Sequence, residues 1–243
     1  MTIGRSVIAE QITAWTSACS AGGRSLAVIA LISMTIAAFA PFDIVLTRLS
    51  LGIPGLQIVL IGAAVLIGAR NAQAMGMRLG GQHARWLTVG IAAAASVAIY
   101  VAVLDIYMFR HQLSASYLRI LALPLVPRTL GFIARAFNEN VIYRLFVFPT
   151  LLVLIQNMRD GRRPTTAWII AAMFAAQILN VGMNTVALVP EPLTASRLLF
   201  DGLRFVLPGA LWAGLFWRYG FITAEIASTV CHMILQPMFS VLM

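Results

Sequence analysis

The 243-residue chain has eight acidic side chains and three histidines, and the ones placed for chemistry lie in its second half. Glu139 stands in a polar cluster with Arg135, Asn138, Asn140, Tyr143 and Arg144, inside an otherwise apolar stretch. A second cluster is Gln177, Asn180 and Asn184; a third is Glu225, Ser228, Thr229, His232 and Gln236. Gln177, Asn180 and Asn184 follow i, i+3, i+7, and Glu225, Ser228, His232 and Gln236 follow i, i+3, i+7, i+11, so each set falls on one helix face. A carboxylate and an imidazole on separate helices can act as a base and as an acid or oxyanion donor. They can also form a proton relay or a metal site. The plain alternative for the Gln and Asn stripe is interhelical hydrogen bonding, worth about 0.6 kcal/mol per bond.

The elements that position these groups follow from composition. Hydrophobic residues make up 60% of the chain and charged residues 10%, where a soluble domain carries about 25% charge. The apolar runs reach about 18 residues or more, the length that crosses a bilayer core. They do not alternate, which selects helices over barrel strands. The expected fold is therefore all-α, a polytopic membrane bundle forming one domain over residues 1–243. Ionisable groups inside such helices cost roughly 2.5–3.5 kcal/mol to insert. Three polar stripes at that cost should face one another around a small polar cavity.

Spans are expected at about Ser25–Phe42, Leu51–Ala69, Trp86–Phe109, Arg128–Gln156, Thr166–Val189, Ser196–Trp217 and Phe221–Leu242. Residues 1–24 read as an interfacial N-terminal helix, centred on Val7–Ser20. Pro124 and Pro127 interrupt the stretch before Arg128, which reads as a short re-entrant or interfacial piece up to Val126. Splitting the long stretch Ser116–Gln156 into two short spans would give eight. Seven spans with a cytoplasmic N-terminus put Arg70, Arg78, Arg85, Arg159, Arg162, Arg163 and Arg218 inside, and Arg48, Arg110, Arg119 and Arg197 outside, the expected basic bias.

The net charge is +9, and all 17 basic residues are Arg. They flank spans, so the charge belongs to membrane topology and lipid headgroups rather than to nucleic acid. Cys19 and Cys231 offer neither a disulfide framework nor a zinc spacing. There is no H-E-x-x-H zinc signature, no G-x-S-x-G elbow and no Gly-rich phosphate loop. No metal and no cofactor is expected. Asp105 reads as an interfacial pair near Arg110 and His111. Asp201 reads as an ion-pair centre between Arg197 and Arg204, with Arg144 as an alternative partner. Matching halves with broken helices, the mark of many transporters, are absent.

The segment Ala136-Phe137-Asn138-Glu139-Asn140-Val141-Ile142-Tyr143-Arg144 resembles the E-E-x-x-x-R motif of the CPBP family, the CAAX-protease and bacteriocin-processing (Abi) intramembrane proteases. Met173-Phe174-Ala175-Ala176-Gln177 is similar to the family's F-x-x-x-H motif, and His232-Met-Ile-Leu-Gln236 to its final H-x-x-x-N. The resemblance covers about Val126–Met243, half of the chain. It implies an intramembrane endopeptidase, a hydrolase like the CAAX prenyl endopeptidases. Glu139 would activate water, and His232 with Gln236 would hold the oxyanion. The partners it implies are membrane lipid and a membrane-embedded peptide or lipidated protein substrate.

Three positions depart from that pattern. Asn140 stands for the second Glu, Gln177 for the middle His, and Gln236 for the final Asn. Gln236 keeps an amide donor, whereas Gln177 cannot take up a proton. Asn140 leaves Arg144 to find a carboxylate elsewhere, in Glu139, Asp201 or Glu225. If Arg135 or Arg144 pairs with Glu139, the carboxylate is a weaker base; in an apolar pocket it would be a stronger one. Glu139, His232, Gln236, Arg144, Asn140 and Gln177 are therefore the candidate catalytic residues. Asn180, Asn184, Tyr143 and Glu225 are candidates for the substrate cavity. The alternative is a relative without proteolytic activity that serves as a binding, immunity or scaffold protein. The expected location is a bacterial inner membrane.

Overall fold

The computed structural model describes residues 23–39, 50, 51, 53, 55–81, 84–183 and 194–243. The helix expected before residue 23, and the candidate cavity residue Asn184, lie outside the described residues. All regular structure in the described residues is helical. In chain order the helices are α1 (Gly23–Phe39), α2 (Leu56–Ala74), α3 (Trp86–Met108), the short α4 (Ala115–Leu121), α5 (Leu125–Met158), α6 (Thr166–Val181), α7 (Ala195–Tyr219) and α8 (Phe221–Leu242).

Among the described residues five helices, α2, α3, α5, α7 and α8, are long and apolar enough to cross a membrane; α1 and α6 are apolar but shorter. Their outer faces are greasy. Leu31, Val59, Leu66, Ile99, Leu154 and Val241 all stand exposed. In water such a surface would aggregate, whereas lipid is its natural neighbour. The protein is thus a helical membrane protein.

Pro127 does not interrupt α5. It falls in the first turn, where the amide it lacks would be unused anyway, so the helix begins at Leu125 and runs unbroken for 34 residues. The break falls earlier, at Pro124, whose extended backbone separates α4 from α5. Arg128 then ties three elements together. It donates to the Leu121 carbonyl at the end of α4, and to the Gln236 carbonyl (2.9 Å) and the Ser240 hydroxyl on α8.

Helix α8 is the centre of the bundle and packs most extensively on α3, then on α5. The α3 face is built of small residues, Gly90, Ala94 and Ala98, and α8 answers with Ala224 and Ala227, all buried. In lipid, close backbone approach of this kind replaces the hydrophobic effect as the driving force. Helix α2 meets α5 in the same way. A Cβ on Gly68 would stand 2.5 Å from the Leu145 carbonyl oxygen. The Asn71 amide also donates to the Thr150 hydroxyl at 2.9 Å across that seam.

Gly220 makes the reversal from α7 into α8 at φ 96°, a region that L side chains avoid. The first amides of α8 have no partner within their helix. Phe221 and Ile222 donate instead to the Arg78 and Leu79 carbonyls, both at 3.0 Å, in the glycine-containing loop between α2 and α3. That loop therefore fixes where α8, and with it His232 and Gln236, enters the bundle.

Helices α3, α5 and α7 change pitch where polar residues sit. Leu104–Met108 of α3, Asn140–Val147 of α5 and Gly202–Val206 of α7 are π-helical. A π turn carries an extra residue, is rare, and tends to occur at functional sites.

Candidate functional site

The polar stripes of α5, α6 and α8 open onto one cavity of about 440 Å³, inside the roughly 300–1,000 Å³ range of small-ligand sites. Helix α5 contributes Phe132, Arg135 and Glu139, at i, i+3 and i+7 on one face, and then Arg144 from the π stretch. Helix α6 contributes Gln177 and Asn180, and α8 contributes Ser228, Cys231, His232 and Gln236. The apolar part of the wall comes from residues such as Val101 of α3, Trp212 of α7 and Leu235 of α8.

Glu139 reaches the cavity with its side chain one-fifth exposed, and the Arg135 Nε donates to its Oε1 at 2.7 Å. Of the two arginines weighed from the sequence, it is Arg135, four residues before Glu139 on α5, that holds the carboxylate. His232 lies flat against the Phe132 ring, with centroids 5.4 Å apart and planes 15° apart. Its Nδ1 is buried and has no hydrogen-bond partner among the described residues. One turn further along, Gln236 is 1% exposed, and neither atom of its amide has a partner among the described residues. A buried amide left without partners is costly in a protein interior.

Gln177 holds the Arg144 guanidinium. Its Oε1 accepts from the Arg144 Nη2 at 2.6 Å, and its Nε2 donates to the Phe205 carbonyl at 3.1 Å. Asn180 donates to the same Gln177 oxygen at 3.5 Å. Arg144 thus meets none of the three carboxylates weighed for it. Asp201 pairs with Arg197 at 3.0 Å, Glu139 with Arg135, and Glu225 accepts from the Asn140 amide at 3.1 Å.

Asn140, Tyr143 and Glu225 are buried but do not line the cavity. Asn140 and Tyr143 fall in the π-helical stretch that follows Glu139, and Asn140 with Glu225 instead joins α5 to α8. Asp105 is likewise not at an interface with Arg110 and His111. It is fully buried and binds Arg204 of α7 through Nη2 at 2.7 Å and Nε at 3.0 Å. Arg204 also lies over the rings of Tyr117 (4.4 Å) and Phe205 (4.7 Å), a favourable seat for a desolvated cation. Arg204 and Arg197 both line the cavity. The signal that could have found Arg204 was present, namely a charge in the middle of a span, but Asp201 three residues away offered a simpler partner.

No protein-family model, curated protein or solved structure matches the chain.

The site's chemistry therefore rests on its own geometry. The Glu139 carboxylate, the His232 imidazole and the Gln236 amide line one cavity. That combination suits activation of a small nucleophile together with stabilisation of a developing oxyanion. Among the described residues no three His, Cys, Asp or Glu side chains come together as metal ligands would.

Proposed function

We propose that the chain is an intramembrane endopeptidase, a hydrolase that cuts a peptide or lipidated protein within the bilayer. The observation that carries this reading is that Glu139, His232 and Gln236, from two separate helices, line the same cavity. In the proposed reaction Glu139 takes a proton from water as its oxygen attacks the scissile carbonyl carbon. The oxyanion that forms accepts hydrogen bonds from an N–H of His232 and from the Gln236 amide. The proton on Glu139 then passes to the leaving amine as the C–N bond breaks. The order and spacing of the three motifs, which resemble those of the CPBP family, support the same assignment. Seven spans, with α1 and α6 completing the five longer helices, a cytoplasmic N-terminus and a bacterial inner membrane belong to this proposal.

One observation favours a second reading, that of a binding or scaffold protein without activity. The Arg135–Glu139 ion pair at 2.7 Å occupies the carboxylate that would have to act as base. Cleavage of membrane peptides by the wild type and by Glu139→Ala separates the two. The endopeptidase reading expects cleavage by the wild type alone. Equal cleavage by both, or none by either, contradicts it.

A further inference from the structure

The cavity wall carries four guanidinium groups, and three of them are neutralised locally. Arg135 has Glu139, Arg197 has Asp201 and Arg204 has Asp105, at 2.7, 3.0 and 2.7 Å. Arg144 is the fourth. It is 5% exposed, its Nη2 donates to a neutral oxygen, that of Gln177, and its Nε is buried without a partner among the described residues. No carboxylate among the described residues lies within ion-pair distance of it. The carboxylates that act on it, Glu139 and Glu225, stand beyond that distance, and a buried guanidinium held only by a neutral acceptor is costly.

The surroundings indicate what would complete it. A guanidinium presents a planar fork of donors that matches a carboxylate or a phosphate. Gln236, which lines the same cavity from α8, is 1% exposed and has neither amide atom partnered among the described residues, so it can add a donor. The cavity, at about 440 Å³, is far larger than an anion alone. Phe132, Trp212, Leu235 and Val101 supply apolar wall for an attached hydrocarbon.

We propose that this cavity binds an anionic amphiphile, its carboxylate or phosphate seated on Arg144 beside the Gln236 amide and its alkyl chain along the apolar wall. The binding does not require Glu139 to act as a base, so it stands or falls separately from the hydrolytic reading.

The test is equilibrium binding to the full chain in phosphatidylcholine nanodiscs, with empty discs as the blank. Dodecanoate, dodecyl phosphate and dodecanol share one chain length and differ in their heads, and inorganic phosphate supplies the head alone. The expected result is saturable binding of dodecanoate or dodecyl phosphate, the tighter of the two naming the head. Dodecanol and inorganic phosphate should each bind at least about tenfold more weakly, since a charge-assisted hydrogen bond and the apolar chain are each needed. Arg144→Gln should weaken the charged ligand by about tenfold or more. Gln177→Glu keeps the arginine but places a carboxylate where the neutral acceptor now stands at 2.6 Å. It should weaken binding to a similar degree in a chain that still elutes as a folded protein. Equal binding of dodecanol and dodecanoate would overturn the proposal. So would inorganic phosphate binding as tightly as the amphiphile, or unchanged binding in folded Gln177→Glu.

Discussion

Arg204 and Arg144 lie on the walls of one cavity, on α7 and α5, and the two regions around them are built on opposite plans. Around Arg204 the guanidinium itself is well held, although the second oxygen of Asp105, Oδ1, is buried without a partner among the described residues. Asp105 binds it twice, and aromatic rings of Tyr117 and Phe205 cover its faces. Arg144, among the described residues, has one hydrogen-bond acceptor, the neutral Gln177, and a buried Nε without a partner, while Glu139 and Glu225 act on it only from beyond ion-pair distance. Burying a guanidinium costs several kcal/mol whatever surrounds it, and the partners decide whether that cost is offset within the fold. The Arg204 region is architecture that joins α7 to α3. The Arg144 region, sharing its cavity with Glu139, His232 and Gln236, leaves donors unspent for something that is not part of the chain.

Substitutions can break that contrast at either end. The largest effect is expected from Asp105→Ala, which strands Arg204 in the interior and should destabilise the fold by about 3–5 kcal/mol, read as a lower midpoint of SDS-induced unfolding in mixed micelles. Next is the α2–α5 seam, which holds the helix that carries both Glu139 and Arg144. Gly68→Leu forces a side chain into the Leu145 backbone and should cost roughly 1–3 kcal/mol by overpacking, in the same unfolding assay. The smallest is Arg144→Gln, in which relief of the guanidinium's burial offsets loss of its bond to Gln177 and of its attraction to Glu139 and Glu225, so that stability should change by less than about 1 kcal/mol in either direction. A loss as large as that of Asp105→Ala would make Arg144 architectural too, and the contrast would disappear.

The coarse fold was legible because lipid imposes a simple rule. Apolar runs of span length must be helices, and the helices at Trp86, Thr166 and Phe221 begin where the runs do. The polar stripes were legible for the same reason, and Glu139, Gln177, Asn180, His232 and Gln236 do converge on one cavity. What escaped the sequence was pitch. Reading Asn140 and Arg144 as i, i+4 neighbours assumes α-helical stacking, but Asn140–Val147 is π-helical, and the two side chains serve different helices, α8 and α6. Asp105 and Arg204 each lie in a π stretch of their own, and their pairing across 99 residues has no local signature. Local alternatives, Arg110 and His111 for one and Asp201 for the other, looked simpler because spacing along a chain reports only neighbours on one helix.

The account depends most on Glu139 being a working group and not merely the partner of Arg135. The direct measurement is cleavage of a library of membrane-spanning and lipidated peptides by the full chain in phosphatidylcholine vesicles, beside Glu139→Ala prepared in the same way. The account predicts cleavage by the wild type that is lost in the variant, while both show the same helical content and elution. Equal cleavage by the two, or cleavage by neither, would contradict it.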